Sequence, residues 1–154
     1  MSTRRAFAVP SNSRRTALLG AVAAFLAGIG VGARAQSSAP APERRWYDAA
    51  AQMKRLAESW GDQPYGAVLV LGGAIIGEGP SRVIKNNDVS AHAEREAIRD
   101  ARRRLGGQQL VGSVLYSTAR PCSLCEAAAA EAGVSRMYFG PSLTDAGKPS
   151  SGAQ

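Results

Sequence analysis

Three residues in this chain could hold a metal ion: His92, Cys122 and Cys125. They are the only histidine and the only two cysteines among 154 residues. Taken singly they say little. A lone histidine is more often a packed or solvated side chain than a ligand. Cys122-Ser-Leu-Cys125 could be a disulfide, a redox pair or half of a metal site. Together they form a donor set. Two thiolates and one neutral imidazole supply three ligands, and zinc prefers four. The open position then takes water, as in catalytic rather than structural zinc sites. The thiolates offset the charge of Zn²⁺, and the bound water becomes acidic enough to act as a nucleophile. Glu94 follows His92 by two positions. Residues i and i+2 do not share a helix face, so both can serve one site only at the frayed start of a helix.

These residues need elements to place them. Trp46, Ala49, Ala50, Met53, Leu56, Ala57 and Trp60 recur at helical spacing, which predicts a helix over 43–60 that stops at Gly61. The apolar run 65–71 reads as a buried strand. Gly72-Gly73 makes a hairpin turn, with a return strand over 74–79. The segment 81–91 is polar and irregular, with turn residues Asn86, Asn87 and Asp88. A helix is expected from near Ala91 to Leu105. Its Arg95, Arg99, Arg102 and Arg103 read as a solvated face rather than a phosphate site. A strand over 113–118, a helix over 122–132 ending at Gly133 and a strand over 135–140 complete the order α-β-β-α-β-α-β. That order implies an α/β fold with a mixed sheet and helices on its faces. Cys122 and Cys125 would share the first turn of their helix, where the dipole favours thiolates. Pro121 suits a helix start.

The leader, 1–35, reads differently. Arg4, Arg5, Arg14 and Arg15 precede an apolar run from Ala17 to about Val31, and Ala33-Arg34-Ala35 offers a small-x-small cleavage site. This is the layout of a secretory signal peptide over 1–35. The run falls short of the roughly 20 residues that a membrane span needs, so no stable span is expected after cleavage. The stretch SRRTALLG resembles a twin-arginine export signal, with Sec export as the alternative. An exported, periplasmic protein follows, with a linker over 36–42, a zinc domain over 43–141 and a disordered tail over 142–154. The net charge of +7 comes mostly from the leader. Residues 36–154 hold 14 basic against 12 acidic side chains, a net of +2. So small a balance gives no reason to expect a nucleic-acid partner.

His92-Ala93-Glu94 is followed further along the chain by Pro121-Cys122-x-x-Cys125. This matches the H-x-E…P-C-x-x-C pattern of the zinc nucleobase deaminases. From Tyr65 to Gly140 the chain resembles the cytidine and deoxycytidylate deaminase superfamily, in its guanine, cytosine and transfer-RNA adenosine deaminase branch. The stretches DQPYGAVLV, IIGEGPSRV, NDVSAHAEREAIRDA and LYSTARPCSLC carry the likeness.

The resemblance implies a three-layer α/β/α sandwich of the cytidine deaminase type. It implies one Zn²⁺ per chain on His92, Cys122 and Cys125, with Glu94 as the catalytic proton shuttle. The backbone around Ala67 and Val68 would line the base pocket, and Ser81 would contact substrate where the family often has Asn. The implied function is hydrolytic deamination of a free nucleobase or nucleoside of guanine or cytosine type, with release of ammonia. A homodimer, which family members commonly form, is the implied assembly. Three features depart from the family pattern: Ser81, Arg120 where an acid commonly precedes Pro-Cys, and an end at Gln154, soon after the fourth strand. They motivate two alternatives, a catalytically impaired zinc-binding interaction module and a pocket completed by a partner subunit. A thiol-disulfide protein is a third reading of the cysteine pair.

Overall fold

The structure is a computed structural model that describes residues 42–152. The expected signal segment 1–35 and the linker up to residue 41 lie outside the described residues. Helix α1 (Arg44–Ser59) leads into the hairpin β1 (Gly66–Leu71) and β2 (Ala74–Pro80). Helix α2 (Ala93–Arg104), strand β3 (Val114–Ser117), helix α3 (Ser123–Ala132) and strand β4 (Arg136–Phe139) follow. A short strand β5 (Thr144–Gly147) closes the described order.

The strands form one mixed sheet in the order β2-β1-β3-β4-β5. Only β3 and β4 run parallel, joined by the crossover through α3. The hairpin turn needs left-handed backbone at two successive positions. Gly72 and Gly73 supply it, both with positive φ and no Cβ to clash.

Alternation along β1 sorts the core into two layers. Val68 and Val70 join Trp46, Ala50, Val114, Tyr116 and Tyr138 under α1. Leu69 joins Ile98, Leu115, Ala129, Ala132 and Met137 under α2 and α3. One helix covers one face and two cover the other, giving the expected three-layer α/β/α sandwich. Helix α2 lies close on β2 because that strand carries glycines. A Cβ at Gly79 would stand 2.0 Å from the carbonyl oxygen of Ala93 and 2.4 Å from the nitrogen of Ala97.

Three local expectations need correction. The helices expected from 91 and from 122 begin at Ala93 and Ser123. His92 and Cys122 are their N-caps, with extended dihedrals of φ −65°, ψ 152° and φ −79°, ψ 167°. The tail expected to be disordered from 142 contributes β5, paired antiparallel with β4. Its four residues, Thr-Asp-Ala-Gly, carry no apolar alternation. They are held by ladder bonds and by the pairing of Asp145 with Arg136. Trp60, expected on the apolar face of α1, instead lies under two cations, an arrangement that the negative face of an indole ring favours. Arg82 Cζ is 4.8 Å from its ring centre. Lys85 Nζ is 3.7 Å from it. Among the described residues, no helix is long and apolar enough to cross a membrane.

Candidate active site

The sheet brings the carboxyl end of β3 level with the start of β1. Gly66 and Thr118 exchange hydrogen bonds there: the Thr118 amide donates to the Gly66 carbonyl at 2.9 Å, and the Gly66 amide donates to Thr118 Oγ1 at 3.0 Å. From this edge the chain turns through Ala119-Arg120-Pro121 into α3. Opposite, the 81–92 segment delivers the start of α2. The two helix N-termini converge, and the partial positive charge there favours thiolates and carboxylates.

His92 Nδ1 lies 3.6 Å from Cys122 Sγ and 3.5 Å from Cys125 Sγ, and the two sulfurs are 3.5 Å apart. A tetrahedral zinc with bonds of about 2.3 Å to sulfur and about 2.05 Å to nitrogen would hold its ligand atoms about 3.6–3.8 Å apart. The observed triangle matches that spacing, so the residues fit the metal. Burial pushes the Cys125 thiol up from its usual range, and the Glu94 carboxylate adds to the effect. A thiolate at that position therefore calls for a cation to neutralise it.

Glu94 is buried, in the first turn of α2. Its Oε2 is 3.5 Å from Cys125 Sγ. Its Oε1 accepts a hydrogen bond from Ser117 Oγ at 2.8 Å. Because His92 is a cap rather than a helical residue, the usual separation of i and i+2 does not apply, and both side chains reach one centre. Ser117 Oγ also accepts from the Ala119 amide at 3.4 Å, which ties the loop before α3 to the carboxylate. The sequence reading did not find Ser117, because its proximity arises from strand register and not from a motif.

A cavity of about 210 Å³ opens at this point. His92, Glu94 and Cys122 form one side of it, and Gln63, Tyr65, Ala119 and Arg120 form much of the rest. Three residues expected at the substrate are placed otherwise. Ala67 and Val68 are fully buried in β1 and are not part of the cavity wall. Ala67 packs with Ala93 and Ala97 beneath the start of α2, while Val68 faces the α1 layer. Ser81 is also fully buried, and its hydroxyl donates to Asp62 Oδ1 at 2.9 Å. A hydroxyl held by that bond is turned to Asp62 and not to the cavity.

Asp62 is a hub that the sequence reading missed. Its Oδ2 accepts the amides of Ile84 and Lys85, and its Oδ1 accepts the amide of Gln63 as well as the Ser81 hydroxyl. Burial acts to raise its carboxyl. The four hydrogen bonds, led by the Lys85 amide, outweigh burial and hold it below the usual carboxylate range.

The chain matches the family model for the cytidine and deoxycytidylate deaminase zinc-binding region over residues 41–141. The tRNA-specific adenosine deaminase of Buchnera aphidicola is 40% identical over 100 residues, covering 65% of this chain and 66% of that protein. The guanine deaminase of Bacillus subtilis is 43% identical over 83 residues, covering 54% of this chain and 53% of that protein. The chain thus spans less than two thirds of the length of these relatives. A solved structure from studies of tRNA A34 deaminases is 40% identical with a TM-score of 0.59, covering 62% of this chain and 73% of that one. With that match, the spacing of the three donor atoms and the buried acid beside them, the chain belongs to the cytidine and deoxycytidylate deaminase family of zinc-binding proteins.

Proposed function

We propose that the chain is a hydrolytic deaminase that acts on the exocyclic amino group of a nucleobase ring, taken as the free base or its nucleoside. One observation carries this reading. A buried carboxylate, Glu94, is held by Ser117 directly beside the His92, Cys122 and Cys125 donors. A structural metal site has no use for such an acid. Zinc held by the three donors would supply Lewis-acid activation of water. The reaction replaces C–NH₂ with C=O at the expense of one water and releases ammonia. Glu94 would take a proton from the water and return protons to the ring nitrogen and to the departing amine.

The size of the cavity and the small charge of residues 36–154 favour a small substrate, as does the likeness to guanine deaminase. The likeness to tRNA-specific adenosine deaminases favours a second reading, adenosine within an RNA loop. The test is ammonia release by the zinc-loaded protein from guanine, cytosine, cytidine, adenosine and an anticodon hairpin. Turnover of at least one base or nucleoside is expected. Glu94→Gln should keep its zinc and lose roughly 10²- to 10⁴-fold in kcat. Turnover of the hairpin alone would replace the first reading with the second. Stoichiometric zinc with no ammonia from any substrate would leave the non-catalytic zinc module.

A further inference from the structure

Arg120 is the residue on the cavity wall that the deamination chemistry leaves unused. It is exposed, and it lines the same cavity as His92 and Glu94. Elsewhere Arg82, Arg99, Arg104 and Arg136 each meet a carboxylate, and Arg55 and Arg102, which do not, stand away from this cavity. Arg120 has no ion pair, hydrogen bond or ring contact among the described residues. Glu94 does not satisfy it, because that carboxylate is engaged by Ser117 and Cys125. A guanidinium at the mouth of a site, with no internal partner, is placed to receive an external anion.

The cavity's size says where that anion would sit. Its volume is about 210 Å³. Pockets that enclose a whole drug-sized ligand begin at roughly 300 Å³. The cavity can therefore take a base, but a sugar and anything attached to it must stay at the rim. Arg120 is at that rim. So is Tyr65, a residue 43% exposed on the same cavity wall. That ring is available to the face of a base or sugar.

We propose that Arg120 binds the phosphate of a nucleotide whose base occupies the cavity, so that the enzyme selects phosphorylated substrates over bare bases and nucleosides. This rests on the deamination reading above and moves its preferred substrate from the bare base or nucleoside to the phosphorylated form. A phosphate one sugar away from the base is offered both by a free mononucleotide and by a single strand of RNA, and the same guanidinium serves either.

The test compares adenine, guanine and cytosine and their nucleosides with the 5′-monophosphates and with single-stranded trinucleotides. Zinc-loaded full-length wild type, Arg120→Gln and Arg120→Glu are each measured, by equilibrium binding and by kcat/KM. Wild type should favour the phosphorylated form roughly 10- to 100-fold, the range of one charge-assisted contact. Arg120→Gln should remove most of that ratio, and Arg120→Glu should bring it to one or below. A mononucleotide preference identifies a free nucleotide, and a further gain with the trinucleotide identifies a strand. Equal ratios in wild type and Arg120→Glu would overturn the proposal while leaving deamination intact. Phosphate-dependent binding without ammonia release would overturn the deaminase reading and leave Arg120 as a phosphate ligand. Binding of none of these, the free bases included, would overturn both.

Discussion

Ser117 shows how much a site depends on a residue that does no chemistry. Its hydroxyl donates to Glu94 Oε1 from β3, across 23 positions of sequence. Without that donor the carboxylate would be free to turn, and one of its buried oxygens would lack a partner, a loss of about 1–3 kcal/mol. Ser117→Ala should therefore keep its zinc and its fold, with kcat lower by roughly 5- to 150-fold and KM little changed. Ser117→Thr, which restores the hydroxyl, should recover most of the rate. An equal loss in both variants, or a loss in KM alone, would show that Ser117 only packs. The donors themselves were legible from the sequence, because His-x-Glu and Pro-Cys-x-x-Cys put their chemistry in residue types and short spacings. Ser117, Tyr65 and the cavity position of Arg120 were not. Their neighbourhood is made by the pairing of β1 with β3, which no short motif encodes. Ser81 is the opposite case. Its place ahead of His92 suggested a substrate contact, and Asp62 has taken its hydroxyl instead.

At the scale of elements, the apolar runs and glycine stops located most helices and strands to within one or two positions. The misplaced starts of α2 and α3 share a cause. His92 and Cys122 look like first-turn residues in sequence, yet a cap has extended backbone, and that conformation aims both side chains at one point. The loops that hold this geometry are tied by Asp62, which joins the segment after α1 to the segment before α2. Its folded-state pKa is depressed. Its contribution is therefore present at neutral pH, above the unfolded value of about 3.9, and is lost as pH falls through the lower folded value. Asp62→Asn keeps the shape but replaces the carboxylate with an amide whose NH₂ cannot accept backbone N–H groups. It should lower stability at pH 7 by about 1–3 kcal/mol, read by urea unfolding. The gap between variant and wild type should narrow as pH drops below about 4. A gap that stayed constant from pH 7 to pH 3 would assign the cost to packing instead of charge.

For the molecule as a whole, the candidate metal ligands stand where two helices meet the edge of the sheet. His92 comes from the cap of α2, Cys122 from the cap of α3 and Cys125 from within α3, all at the carboxyl end of β3. This edge of an α/β sheet is the usual place for a ligand. A metal bound there would link two helices whose buried faces are built mainly from small side chains such as Ala97, Ala101, Ala129 and Ala132. Binding of an ion to the folded state alone adds about 4 kcal/mol when its free concentration is a thousand times its Kd. In a domain of this size each kcal/mol moves the midpoint by roughly 4–8 °C. Removing zinc with a chelator should therefore lower Tm by about 15 °C or more, and adding zinc back should restore it. Cys122→Ser, which weakens the donor set without disturbing the core, should lose most of that zinc-dependent shift. Arg120→Glu should retain it in full, because Arg120 is not among the three donors. A Tm indifferent to verified metal removal would mean that the helix N-termini are fixed by packing alone. The close fit of the His92, Cys122 and Cys125 triangle would then be preformed by the fold, with metal affinity separated from stability.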